Sequence, residues 1–242
     1  MIPLLIAAAL ASAPTDSKPL LTGRLTHESC ASVITPEALV CRALEAQKGG
    51  DSEGAAEDFE EAAKASPDKD PNIARMWAAA GNLWLAAGQP IKAAADLDKA
   101  LASPGLEAAQ RGEALLDRAR AAEAQNDLLT ARARLNDAGQ SIAADPFYWY
   151  FSASLAMREG DRIGAQNAID RALKLAPSDP TILFEAGHVA DYTGNDDQAR
   201  VYWERAVDGD PNGPVGKAAA KAIEMLGVTP TVKSDTAPAK PH

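Results

Sequence analysis

Aromatic side chains are scarce in this 242-residue chain: four Trp, four Tyr and four Phe. So few large rings, together with little Val and Ile, argue against a sheet-based core, because β-branched and aromatic residues drive strands. Alanine fills the apolar fraction instead, and alanine has the highest intrinsic helix propensity. Sixteen Pro and seventeen Gly exclude one long coiled coil and predict many short helices with frequent stops. Basic charge is also short. The formal net charge is −10, and none of the 24 Lys and Arg residues falls in the first seventeen positions. Nucleic acid is therefore not an expected partner, since affinity there comes from cations neutralising phosphates. An anionic lipid surface is disfavoured for the same reason.

Long apolar runs are missing as well. The one candidate, residues 2–10 of "MIPLLIAAALASAPTD", is too short to span a bilayer. It does fit the apolar region of a secretory signal. Ala9-Leu10-Ala11 supplies a small-x-small cleavage site, which gives a signal peptide over 1–11. The expected location is then periplasmic or secreted, without membrane insertion after cleavage, and cytoplasmic if that reading fails. Cys30 and Cys41 are the sole cysteines. In an oxidising compartment they can pair, closing a loop that stabilises by about 2–3 kcal/mol. Two buried thiols are the alternative. Neither lies in a CxxC, so redox or zinc chemistry is not expected.

What the sequence does have is a repeat. Ala153 and Gly187, Ala165 and Ala199, Ile169 and Trp203, and Ala172 and Ala206 each stand 34 residues apart. The same columns run backwards through Ala43, Gly81 and Ala119, through Ala55, Ala93 and Ala131, through Phe59, Leu97 and Leu135, and through Ala62, Ala100 and Ala138. The first two offsets are 38 residues and the later ones 34. Five copies result. Gly50, Gly88, Gly160 and Gly194, with Asn126 in the third copy, sit where a turn between helices needs positive φ. Thr35-Pro36, Asp70-Pro71, Ser103-Pro104, Asp145-Pro146 and Asp179-Pro180 each read as helix cap followed by first helical position. The four extra residues in the two longer spacings are most simply an added turn of about 6 Å on the first helices of copies two and three. A longer loop is the alternative.

The second copy, with Trp77, Ala80, Gly81, Trp84, Gly88, Ala93, Leu97 and Ala100, resembles the tetratricopeptide repeat, a helix–turn–helix unit of 34 residues. The resemblance covers roughly residues 35 to 211. It implies an all-α, right-handed α-solenoid of five helix pairs. "GPVGKAAAKAIEMLG" adds a capping helix whose Lys217 and Lys221 meet water. The expected organisation is a signal peptide 1–11, an extended segment 12–34, the array with its cap over 35–227, and a disordered Pro-rich tail 228–242. Arg42 and Arg118 depart from the pattern in a usually apolar column, and Gly105 and Ala143 stand where Pro often closes the unit.

Five of the twelve aromatics are consecutive, Phe147 to Phe151. At 100° per residue, Trp149, Ser152, Ala153 and Ala156 form the stripe that packs on the partner helix. Phe147, Tyr150, Phe151, Ser154 and Arg158 form another. The resemblance implies that first helices line a concave groove that binds a protein or peptide partner. Carried onto this chain, the groove comprises Phe147, Tyr150, Ser154, Met157 and Arg158, then Thr181, Phe184, His188, Asp191 and Tyr192, with the more polar Arg75, Asn82, Leu116 and Arg120 before them. Arg120 and Arg158 stand ready for a ligand carboxylate. Phe147, Phe151 and Phe184 read equally as wedges between neighbouring first helices. The carboxylate-binding clamp of chaperone-associated members is absent, because Val40, Leu44 and Asp117 occupy its places.

No nucleophile motif, phosphate loop or paired-His metal pattern is present. Glu185, His188 and Asp191 could suggest a metal set, but a solvated groove face explains them as well. Catalytic residues, metal and cofactors are therefore expected to be none, and the protein is expected not to be an enzyme. The reading is a scaffold or adaptor of the cell envelope. A holdase-like periplasmic chaperone or an accessory subunit of an envelope enzyme complex is the alternative, and a homo-oligomer is the other use of an exposed aromatic trough.

Overall fold

The computed structural model describes residues 30–226, so the signal-peptide and tail readings fall outside it. The described residues form eleven α-helices and no strand. Five antiparallel pairs follow one another: α1 (Pro36–Lys48) with α2 (Ser52–Ala65), α3 (Ile73–Ala86) with α4 (Pro90–Ala102), α5 (Ala108–Ala124) with α6 (Leu128–Ile142), α7 (Pro146–Glu159) with α8 (Arg162–Leu175), and α9 (Pro180–Thr193) with α10 (Asp196–Gly209). The capping helix α11 (Pro214–Leu226) closes the row.

The repeating columns are the seams of these pairs. The alanines at 55, 93, 131, 165 and 199, and those at 62, 100, 138, 172 and 206, are fully buried. The facing column pairs size against size. Where Leu97 fills the seam, a Cβ on Gly81 would lie 2.5 Å from its Cγ; where Trp203 fills it, a Cβ on Gly187 would overlap the indole. Between the helices of each pair, Gly50, Gly88, Gly160 and Gly194 adopt positive φ, as does Asn126 at 61°.

Helix starts follow the Asp/Thr-Pro pattern at three of five places. Thr35, Asp145 and Asp179 cap α1, α7 and α9, each with Pro in the first turn. Asp70-Pro71 and Ser103-Pro104 instead belong to loops. Asp70 accepts from the Asn72 backbone, and α3 begins only at Ile73. α5 is opened by Glu107 and Gln110 in a capping box. The four extra residues of the second copy therefore lie in the connection, since α3 has the same 14 residues as α7 and α9. Those of the third copy lengthen α5 to 17 residues, as expected there. Gly105 bends between these loops at φ 109°, and a Cβ on it would strike the Pro71 carbonyl.

Consecutive first helices pack on one another at α3–α5, α7–α9 and α9–α11, whereas no pair of consecutive second helices packs comparably. The array therefore curves with its first helices on the inner wall. One junction is sparse: α6 and α7 come together less closely than any other pair of successive helices. Tyr148 and Phe151, both buried, fill that wider gap in one apolar cluster with Leu135, Ile142 and Leu155. Gly139 leaves room for the Tyr148 hydroxyl, where any Cβ would clash.

At the other end, Cys30 and Cys41 form a disulfide with Cα atoms 5.7 Å apart. Arg42 donates to the carbonyls of Ala31 and Val33 and faces Asp58 at 3.5 Å. Its cognate Arg118 pairs with Asp98 at 2.8 Å. Both departures from the apolar column are thus satisfied by acids on neighbouring second helices.

Candidate functional site

The predicted groove residues all lie on first helices, but not as one equivalent set. Of the aromatic run, Phe151 is core, buried in the cluster that α5, α6 and α7 share. Trp149, expected in the seam, is only half-buried: its Nε1 donates to the Ala143 carbonyl and Arg171 stacks over the ring at 4.4 Å. Phe147 is half-buried, lies in no apolar cluster, and meets Tyr150 edge-on with ring centroids 6.3 Å apart. Tyr150 packs partly against the clusters on both sides of α7, and burial raises its phenol above the usual range. Phe184 leans on the C-terminal cluster and on His188, 4.4 Å between centroids. Met157 packs against the cluster between α7 and α9. Tyr192 lies under the Arg162 guanidinium, 5.3 Å from the ring centroid.

The two arginines expected to meet a ligand carboxylate already have one. Arg158 donates to the Glu123 carboxylate and carbonyl and, at 2.9 Å, to Asn126 Oδ1. Arg120 holds Asp117 at 2.8 Å, and Asn82 donates to the same carboxylate at 2.7 Å. Arg75, the third cation of this wall, stands 3.9 Å from Glu107 and donates to Gln110. Acids without such a partner remain. Glu113 is pushed up by burial and by the charges of Asp117 and Asp145, and Asp191 is exposed.

Glu185, His188 and Asp191 do not form the solvated face expected of them. Glu185 is 7% exposed, and its Oε1 has no hydrogen-bond partner. Burial raises its carboxyl to about 7, against the hydrogen bond of the Ser154 hydroxyl, which lowers it. The imidazole of His188 is wedged between Phe184 and Trp203 with Nε2 unpartnered, and burial lowers its pKa. Their donor atoms do not converge. Among the described residues the one grouping close enough for an ion is Cys30, Cys41 and Glu45, whose sulfurs are joined to each other. A buried Glu185 had no signal in a single sequence, because its column reads Asp117, Phe151, Glu185 and carries no consistent polarity.

No helix among the described residues is long and apolar enough to cross a membrane. No curated protein matches the chain. Solved structures do. PilW, a widely conserved type IV pilus biogenesis factor, is 20% identical over 76% of this chain and 82% of its own, with a TM-score of 0.64. Pseudomonas aeruginosa PilF is 15% identical over 78% and 82%, with a TM-score of 0.60. YrrB, described as a TPR protein with an unusual peptide-binding site, is 18% identical over 76% and 91%, with a TM-score of 0.53. At these identities the likeness is one of fold. The profile of the tetratricopeptide repeat family matches residues 42–107 and 152–214, together more than half of the sequence. With five stacked helix pairs behind that match, the chain belongs to the tetratricopeptide repeat family.

Proposed function

We propose that this protein is a non-enzymatic scaffold of the cell envelope that holds a segment of a partner protein against its inner wall. The tetratricopeptide fold is a protein–protein interaction scaffold, and preformed helices spare the host the ordering cost of binding. The observation that carries the reading is Phe147. It is half-buried beside Tyr150 on a first helix yet contributes to no core cluster, and large rings of this kind dominate binding energy because they bury area at low entropy cost. The envelope assignment draws on the apolar leader and on the Cys30–Cys41 disulfide, a bond that persists in oxidising compartments. PilW, a type IV pilus biogenesis factor, and PilF share the fold and support the reading by analogy.

A photo-crosslinking amino acid at Phe147, in living cells, should trap a defined partner. The same group at Gln140 on α6 should not, since that residue is exposed on a second helix. Equal trapping from both positions would refute the groove. N-terminal sequencing of the mature protein should begin at Ser12, and an intact Met1 would refute export.

A further inference from the structure

Three carboxylates are buried among the described residues: Asp96, Glu123 and Glu185. Asp96 has the Lys99 ammonium at 2.8 Å, and Glu123 has the Arg158 guanidinium. Glu185 has no cation. The repeat makes this comparison sharper. Asp117 occupies the same column as Glu185, two copies earlier, and is held by Asn82 from the preceding first helix and by Arg120 three residues on. The residues in those places around Glu185 are Ser154 and His188. Serine brings a hydroxyl, and burial disfavours the charged form of the half-buried His188 imidazole, so the column that supplies a fixed cation to Asp117 supplies none to Glu185. A buried carboxyl with one oxygen unpartnered is costly; Asp96 shares that feature at its Oδ2, but only Glu185 also lacks a cation.

We infer that Glu185 is the anchor for a cationic side chain of the bound segment, a lysine or arginine entering the inner wall between Tyr150 and Ser154. This rests on the inner wall being the binding face, and it adds the chemistry of the occupant: basic, with an apolar neighbour for Phe147. The surroundings agree in sign. Arg75, Arg120 and Arg158 are each neutralised by an acid of this protein, while Glu113 and Asp191 are left over, so the wall presents net negative charge. A ligand cation would do for Glu185 what Arg120 does for Asp117. An acidic segment would find every arginine already engaged.

Two fluorescent dodecapeptides test this on the full chain: identical Phe and Leu positions, with Lys at the others in one and Glu in its twin. By anisotropy the Lys peptide should bind and the Glu peptide should not. Glu185→Gln should weaken the Lys peptide by about tenfold or more, the scale of one lost charged hydrogen bond. The same variant should be more heat-stable at pH 8, which a merely structural role in binding would not produce. His188→Arg, which places a cation where Arg120 stands for Asp117, should lose the peptide too. Affinity for the Lys peptide within about twofold of the parent in Glu185→Gln, equal capture of the Glu peptide, or capture of neither peptide would overturn the inference. Crosslinking from Phe147 is unaffected by any of these, so a wrong ligand chemistry is separable from a wrong binding face.

Discussion

Glu185 is a residue whose burial bears directly on stability. Its carboxyl is raised from the ordinary 4.5 to about 7, first by burial and against the Ser154 hydrogen bond; Tyr150 on α7 and His188 on its own helix are the other titratable groups beside it. The folded state then holds a proton that the unfolded state has released between about pH 4.5 and pH 7, so stability falls as pH rises through that window. Glu185→Gln, which mimics the protonated form, should gain up to about 3 kcal/mol over the parent at pH 8 and almost nothing at pH 4, read from denaturant midpoints. A gain of the same size at both pH values would show that charge is not the cause. The glycine columns give the opposite sign. Gly187→Ala places a methyl inside the Trp203 indole that fills the same seam and should lose about 1–3 kcal/mol. At Ala153, the cognate position, the smaller Ile169 already accommodates that methyl.

Among the elements, α1 and α7 are the ones whose partners were hardest to foresee. Among the described residues no helix precedes α1, and the disulfide with the Arg42 hydrogen bonds fastens residues 30–33 against it. Cys41→Ser should lower stability by about 2–3 kcal/mol on the chain-entropy account while leaving helix content and the C-terminal repeats intact. Circular dichroism with and without reductant reads both. In α7 the aromatic run divides by face: Tyr148 and Phe151 into the gap towards α6, Trp149 to the edge under Arg171, and Phe147 and Tyr150 to the inner wall. Helical spacing grouped Phe147 and Tyr150 on one stripe together with Phe151, which the structure buries. It missed Tyr148, because the need for a large residue there comes from the splay of α6 and α7, a tertiary quantity.

At the scale of the whole molecule, stability of a repeat array is a sum of units and nearest-neighbour interfaces. The α6–α7 junction is the sparse one, so large side chains carry it. Phe151→Ala should cost about 3–5 kcal/mol there and split urea unfolding into two steps. Trp77 and Trp84 would report the N-terminal half, with Trp149 and Trp203 reporting the other. A single coincident transition for all four would show that the interfaces elsewhere already couple the halves.

The sequence alone determined the helix pairs, their number, the turn glycines and the buried alanine columns, because these follow from local propensity and from a spacing that each repeat restates. Loop against helix in the two longer connections, the pairing of Arg120 and Arg158 with acids of the same chain, and the burial of Glu185 were decided only by the tertiary structure. Each depends on which side chain of a neighbouring helix arrives at a given point. A one-dimensional pattern records a residue's face on its own helix, and it is silent about the charge that will stand opposite.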